Sequence, residues 1–333
     1  AATEKAKDLV RSSVARARLL QPLSRTKGRV VPEVMVVGGG VAGISASLYL
    51  GGMGIKTYLV EREPSIGGHM AMLDKTFPTL DCSLCILSPK MVEVAECENI
   101  KVLSYSEIEK VEGQVGDFRV QVRRKPRYVN EEKCVGCGDC VAKCPVKVKD
   151  EFNRNMGTRK AIYIPFPQAI PPAYAIDEEN CRYLTQGKCK ICQAVCERGA
   201  IEYDQTSYVE TIEVGAIIVA TGFQPYDPRG LPQYGYGRFP NVITSLDFER
   251  LICADGPTYG KLKRPGDSQV PKRVAFIQCV GSRNVASGCR GCGFDAETGS
   301  PSGAMEPKAY CSRVCCMITA KQAFMVKEKY PDA

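Results

Sequence analysis

Along residues 33–63, "EVMVVGGGVAGISASLYLGGMGIKTYLVERE", the apolar positions change their period. Residues 34–37 are an unbroken apolar run, as a short buried strand would be. A glycine-rich turn follows. Residues 42–50 then predict a helix, and the run ending at residue 60 predicts a second strand. Farther on, "DFRVQVRR" (117–124) and "YVETIEVG" (208–215) alternate apolar with polar positions, the mark of half-buried strands. "VGAIIVATGF" (214–223) is again nearly continuous. Residues 274–278, within "PKRVAFIQCVGSRN", predict another buried strand, and a helix begins at "YCSRVCCMITAKQAF" (310–324). The opening "EKAKDLVRSSVARARLLQPL" (4–23) reads as a helix. Strands alternating with helices put the chain in the α/β class.

Composition sharpens this picture through one residue type. Charged residues at 25% and hydrophobic ones at 44% describe an ordinary globular protein. No apolar run approaches the roughly 20 residues that span a bilayer, and no signal-peptide pattern opens the chain, so a cytoplasmic location is expected. The 18 cysteines, many in CxxC spacing, then point to metal or redox chemistry rather than to disulfides. With a single histidine, His69, mixed Cys/His zinc sites are nearly excluded and iron–sulfur ligation leads. The net charge of +8 lacks a dense basic run, so no nucleic-acid partner is expected. Buried anionic clusters and a bound dinucleotide account for it better. The missing initiator Met and the stop at "FMVKEKYPDA" suggest a piece of a longer polypeptide.

Gly38, Gly40 and Gly43 match GxGxxG between the first strand and the helix. Such a turn lets backbone approach a pyrophosphate at a helix N-terminus, and Glu61, with Arg62 beside it, lies where a carboxylate grips a ribose hydroxyl. Gly67-Gly68 and the turn Ala220-Thr221-Gly222 resemble the later glycine pair and diphosphate turn of two-dinucleotide flavoproteins. Residues 31–128 and 206–270 therefore resemble a thioredoxin-reductase-like FAD-binding Rossmann domain. Between its two meander strands lies an insertion, residues 129–205. It carries "CVGCGDCVAKCP", the C-x2-C-x2-C-x3-C-P spacing of a [4Fe-4S] ferredoxin, and a second run, Cys181, Cys189, Cys192 and Cys196. In two-cluster ferredoxins the last cysteine of each run serves the other cluster. Cys134, Cys137, Cys140 and Cys196 would hold one, and Cys181, Cys189, Cys192 and Cys144 the other. Zinc is the less favoured occupant. The Pro-rich stretch "IPFPQAIPPAY" (164–174) predicts an extended arm over the surface, at a subunit contact.

Residues 271–333 look like the start of a second, degenerate dinucleotide fold. Where GxGxxG belongs, the sequence has Cys279-Val280-Gly281-Ser282-Arg283. Cys311 and Cys315, four apart, are expected on one face of the next helix's first turn, with Cys316 adjacent. With Cys279 they would hold a third [4Fe-4S] cluster in place of a nicotinamide. Cys289 and Cys292 could replace a ligand, bind a metal or belong to an insertion.

This combination resembles the A-subunit family of heterodisulfide reductases over essentially the whole chain, including residues 1–30, which are similar to the segment before that family's flavin domain. The resemblance implies FAD, [4Fe-4S] clusters and a dimer of a multi-subunit complex. It also implies electron pairs taken from a hydrogenase or formate dehydrogenase partner. They would pass, by bifurcation, to ferredoxin and to other subunits that reduce the heterodisulfide of coenzymes M and B or a related acceptor. A passive relay or scaffold is the alternative. Lys321 is placed by the resemblance near the flavin, where a cation would stabilise its anionic reduced form. Cys82 and Cys85 of "LDCSLCILSPKM" are expected as two ligands of a further shared cluster, with a redox dithiol or plain thiols as alternatives. Cys97, Cys253 and His69 are expected to be packing residues.

Overall fold

A computed structural model describes residues 2–22, 28–283, 293–294, 301–302 and 309–332. Its centre is a parallel sheet. Strands β1 (Glu33–Val37), β2 (Lys56–Val60) and β3 (Ile100–Leu103) lie side by side, with β11 (Ala216–Val219) on the far edge of β1. Alternate residues face opposite ways in a strand, and each face has its own cover. Val36 and Leu59 meet α2 (Val41–Gly52) and α3 (Ser83–Glu96) through Ile44, Leu87 and Met91. Met35, Tyr58 and Val60 meet the antiparallel meander, in which β5 (Asp117–Arg124) lies between β4 (Ser106–Gln114) and β10 (Tyr208–Val214). A one-residue slip would exchange these faces, so the two covers fix the register.

The insertion leaves the meander at one point. Arg124, the last residue of β5, pairs with Tyr208, the first of β10. Everything between departs and returns to adjacent strand ends. It forms short helices α4 (Asp139–Lys143), α5 (Arg182–Gln186) and α6 (Ile191–Ala194), and two small hairpins pairing β6 (Lys147–Lys149) with β7 (Thr158–Lys160) and β8 (Ile162–Tyr163) with β9 (Ala175–Ile176). Its core joins Ile162, Ile176 and Ile201 with four buried cysteines.

The Pro-rich stretch corrects the sequence reading. It is a strap against the flavin-type layer, not a surface arm: Phe166 (5% exposed) and Ala169 (2%) enter the core of α2 and α3. Ile66 N–H donates to Ile170 O at 3.0 Å, and Ile170 N–H to Ser65 Oγ at 2.9 Å. Buried Arg127 fastens the root of the insertion, donating to Pro64 O and Ser104 Oγ, both at 2.8 Å. A phenylalanine among the prolines could bury its ring only by docking on a neighbouring core, and this the local composition did not reveal.

The last unit packs α7 (Ser245–Ile252) against α8 (Cys315–Lys329) through Phe248, Leu251, Met325 and Val326. A Thr244–Asp247 capping box starts α7. Two expectations fail here. Residues 274–278 form no strand, because among the described residues no partner strand lies beside them to complete a ladder. Cys311 lies before α8 rather than on its first turn; Arg313, at φ +62°, breaks the backbone between them. The opening helix α1 (Ala2–Leu19) forms as expected and buries none of its side chains.

Candidate functional site

The glycine-rich turn is built by close backbone approach. A Cβ on Gly43 would lie 1.9 Å from Gly38 O, and one on Gly38 (φ +106°) 2.4 Å from Ala220 O. The turn after β11 is thereby pressed against the turn after β1, leaving Thr221 and Gly222 exposed at the strand end. Gly67 N–H donates to Gly39 O at 2.7 Å, which brings the Gly67-Gly68 pair to the same place. Gly40 differs from its neighbours: a Cβ there would meet nothing within 4 Å. Its freedom is therefore not needed by the protein's own packing, and the space in front of it, at the N-terminus of α2, suits a phosphate.

Glu61 follows β2 as expected, but its carboxylate turns inward. It accepts from Gly39 N–H at 2.7 Å and Glu63 N–H at 2.9 Å. Burial raises its pKa and those two bonds oppose the rise. Arg62 is exposed beside Glu63. His69 packs edge-on against Phe223, and burial, with Arg154 and Arg62 nearby, lowers its pKa.

In the insertion the two cysteine runs interleave. Cys134, Cys137, Cys140 and Cys196 line one cavity, with Tyr174 and Ile201. Cys144, Cys181, Cys189 and Cys192 line a second, with Ile162 and Tyr203. Local backbone explains the exchange. Gly136 and Gly138, at φ +67° and +92°, fold the first three cysteines around one cavity. Helix α4 then stops at Cys144, whose extended backbone leads toward the second. Burial pushes the Cys140 thiol up to about 12 and also raises Cys192, which lies 2.8 Å from Tyr203 Oη. Among the described residues no three His, Cys, Asp or Glu side chains are arranged to hold a single metal ion. The thiols surround cavities rather than meet at a point. Four soft donors around each apolar cavity fit a cluster with four cysteine ligands.

The third group assembles from two distant segments. Arg283 N–H donates to Tyr310 O at 3.1 Å and joins them. Cys315, at the start of α8, is held below the usual thiol range by Cys279 N–H, then by Ser312 and the neighbouring thiols. Cys311 Sγ accepts from Arg313 N–H at 3.3 Å, and Cys316 lies 3.4 Å from Gln278 Oε1. Cys279, Cys311, Cys315 and Cys316 are thus neighbours, none of them buried. Cys289 and Cys292 lie outside the described residues.

Two placements go beyond what the sequence indicates. Cys82 and Cys85 are joined to each other by a disulfide. The pair is three residues apart at a helix start, a spacing that bonds as readily as it ligates. Lys321 is buried in an ion pair, 2.7 Å from Glu249 Oε1, and donates to Lys75 O at 2.8 Å. Gln322 Nε2 and Asp74 N–H complete the shell of Glu249. Sequence reasoning missed Glu249 and fully buried Arg250, which donates to Asn153 Oδ1 of the insertion at 2.9 Å. The available signal was an acidic–basic pair inside an apolar helix. Cys97, packed under Gly51, and Cys253, raised to about 12 by burial, sit as packing thiols.

The sequence profile of FAD dependent oxidoreductases matches residues 33–78, and that of the 4Fe-4S binding domain matches residues 127–150. The chain is 52% identical over 331 residues to the A subunit of the H(2):CoB-CoM heterodisulfide,ferredoxin reductase of Methanothermobacter marburgensis, covering 99% of this chain and 47% of that protein. It is 44% identical over 332 residues to the A subunit of the ferredoxin/F(420)H(2)-dependent CoB-CoM heterodisulfide reductase of Methanosarcina acetivorans, covering 99% and 39%. The chain thus spans about half the length, or less, of the curated relatives it matches. Among solved structures, an L-proline dehydrogenase from P. horikoshii matches at 26% identity and a TM-score of 0.24, over 31% of this chain and 21% of that one.

Proposed function

Over the part of their length that it spans, this chain belongs to the family of heterodisulfide reductase A subunits, and on that premise we propose that it is the FAD- and cluster-carrying core of such a protein. The observation that carries the reading is the interleaving of the insertion's cysteines, three from one run and one from the other around each cavity. A two-cluster ferredoxin exchanges the last cysteine of each run in this way, which supports the reading. A third cluster would be held by Cys279, Cys311, Cys315 and Cys316.

The residues divide the work. The backbones at Gly38, Gly40 and Gly43, with Gly67, Gly68, Thr221 and Gly222, would receive the FAD diphosphate. Glu61 would exchange its bond to Gly39 for one to the ribose. Bound FAD supplies the conversion between two-electron and one-electron transfer. The strap at Phe166 holds the insertion beside the flavin-type layer, and the Arg250–Asn153 bond ties it to α7. Lys321 would set the charge near the flavin, with Glu249 fixing its position. Partners would be a hydrogenase or formate dehydrogenase, ferredoxin and the disulfide-reducing subunits, brought together as a dimeric complex, with the flavin splitting electron pairs between two acceptors.

An anaerobic count of iron, sulfide and FAD per chain tests the reading. About twelve irons, for three clusters of four, and one FAD are expected; zinc in place of iron, or FMN, would overturn it. Potentiometric titration of the flavin separates splitting from a simple relay, since splitting needs the second electron to leave at a more reducing potential than the first. NADH and NADPH should not reduce the chain, because the turn at Cys279 lacks the glycines for phosphate approach.

A further inference from the structure

The cations of the insertion are not spread evenly around its two cavities. The cavity of Cys144, Cys181, Cys189 and Cys192 is lined also by Arg182, Pro145 and Ile191, all three exposed. Lys143 and Lys147 flank residues 144–146 of its wall, and Lys188 and Lys190 flank Cys189; all four are exposed. None of these five cations forms an ion pair among the described residues. Lys190 lies over the Tyr183 ring, 4.7 Å from its centroid. Of the carboxylates just before Cys181, Asp177 pairs with Arg159 at 3.0 Å and Glu178 accepts from Tyr128, which leaves Glu179 against the five. The other cavity has the opposite rim. Asp139 and Glu197 line it beside Arg198, Glu132 is exposed two residues before Cys134, and Lys133 is already paired with Glu202 at 3.0 Å.

We propose that the rim of the second cavity is the docking surface for an acidic protein electron carrier, one whose own redox centre is ringed by Asp and Glu. The proposal rests on the cluster reading of the insertion and adds the place where a partner meets it. The rim has the make-up of a transient contact: a small apolar centre, Pro145 and Ile191 (41% exposed), with a charged border. Cations without partners of their own stay hydrated until a partner's carboxylates arrive, so they steer the encounter and fix its orientation more than they add affinity. Four of the five are lysines, compact charges on flexible stems, which suit a partner that must also leave. Cys189 is only half-buried, so a carrier seated on this rim lies close to the cavity itself. A second copy of the chain is the weaker complement, since its acidic rim offers few carboxylates and one of them, Glu197, stands beside Arg198.

The test is binding of a dye-labelled, oxidised, acidic plant-type [2Fe-2S] ferredoxin to the full iron-loaded chain under anaerobic conditions, read by fluorescence anisotropy. Affinity should fall about ten-fold between about 0.05 and 0.3 M NaCl, as added salt screens the two faces. Lys147→Glu with Lys188→Glu should weaken binding about ten-fold, and the neutral pair Lys147→Gln with Lys188→Gln about three-fold. Iron content and dithionite-reducible absorbance should match the wild type in both. Asp139→Asn with Glu197→Gln, at the other rim, should not weaken binding. No binding, binding indifferent to salt, or an equal loss from changes at either rim overturns the proposal. So does self-association of the chain, seen by sedimentation, that disappears in the lysine variants, because it would assign the basic rim to a second copy. A wild-type chain without dithionite-reducible iron would overturn the cluster reading instead, and that measurement is made before any partner is added.

Discussion

The insertion and the segment around α8 both gather cysteines, yet they do so by different means. In the insertion, Cys140, Cys144, Cys181 and Cys192 are buried in an apolar core of its own, between hairpins and short helices. Around α8, Cys311 and Cys316 are exposed and the strand expected to carry Cys279 is absent. Both arrangements close loops of several tens of residues, but in the insertion a buried apolar core of hairpins and short helices holds the two runs together, whereas the α8 group has no such core around its thiols. The insertion is thus organised by the polypeptide. The α8 group leans on anchors outside itself, and above all on the buried pair of Lys321 with Glu249.

The largest break should therefore come at that anchor. Lys321→Met leaves Glu249 charged and buried without its partner and should cost about 3–5 kcal/mol, read by denaturant unfolding. Iron should be lost from the α8 group while the insertion keeps its own. Iron loss from the insertion instead would mean that the two regions share one anchor. Glu249→Gln, which retains a hydrogen-bonding side chain, should be milder.

Phe166→Ala breaks the insertion's strap rather than its ligands. Removing a buried ring should cost about 3 kcal/mol, again measured by denaturant unfolding. The insertion's cluster absorbance should persist after its hold on the flavin-type layer loosens. Bleaching of that absorbance would show that the insertion is not self-sufficient.

Cys316→Ser sharpens the contrast from the other side. An exposed thiol contributes little packing, so stability should change by less than about 1 kcal/mol while about four irons are lost. FAD content should survive, as the glycine turn is elsewhere. Gly40→Ala complements it: a Cβ there has open space, so the fold should hold while FAD retention falls, measured by flavin absorbance after gel filtration.

The smallest effect concerns pH. His69 is lowered below its ordinary value by burial and by Arg154 and Arg62. The unfolded chain therefore takes up its proton at higher pH than the folded one. Stability should be complete above the unfolded value of about 6.5 and decline shallowly as pH falls through the lowered folded value. The slope should vanish in His69→Gln; an unchanged slope would assign it to other groups.

Much of this was legible because its determinants are local. The apolar runs of β1 and β2, the alternation in β5 and β10, the glycines of the turn and the CxxC runs each state a backbone period or a ligand spacing. Even the exchange of Cys144 and Cys196 between cavities follows from spacing. The strand expected at 274–278 was misread for the complementary reason: its apolar run states what it can bury, not whether a neighbour exists to pair with it.

What the amino-acid order determined by itself was β1, α2, β2, β5, β10 and β11 around the glycine turn, the helices α1 and α8, and the chemistry of their side chains. Tertiary structure alone decided that Phe166 enters another unit's core, that Cys82 bonds to Cys85, and that Lys321 meets Glu249 and the carbonyl of Lys75. Each of these is a contact between residues whose local patterns permit several partners. Burial selects among them, because a ring, a thiol or an ammonium taken out of water is stable only where the whole fold has placed its complement.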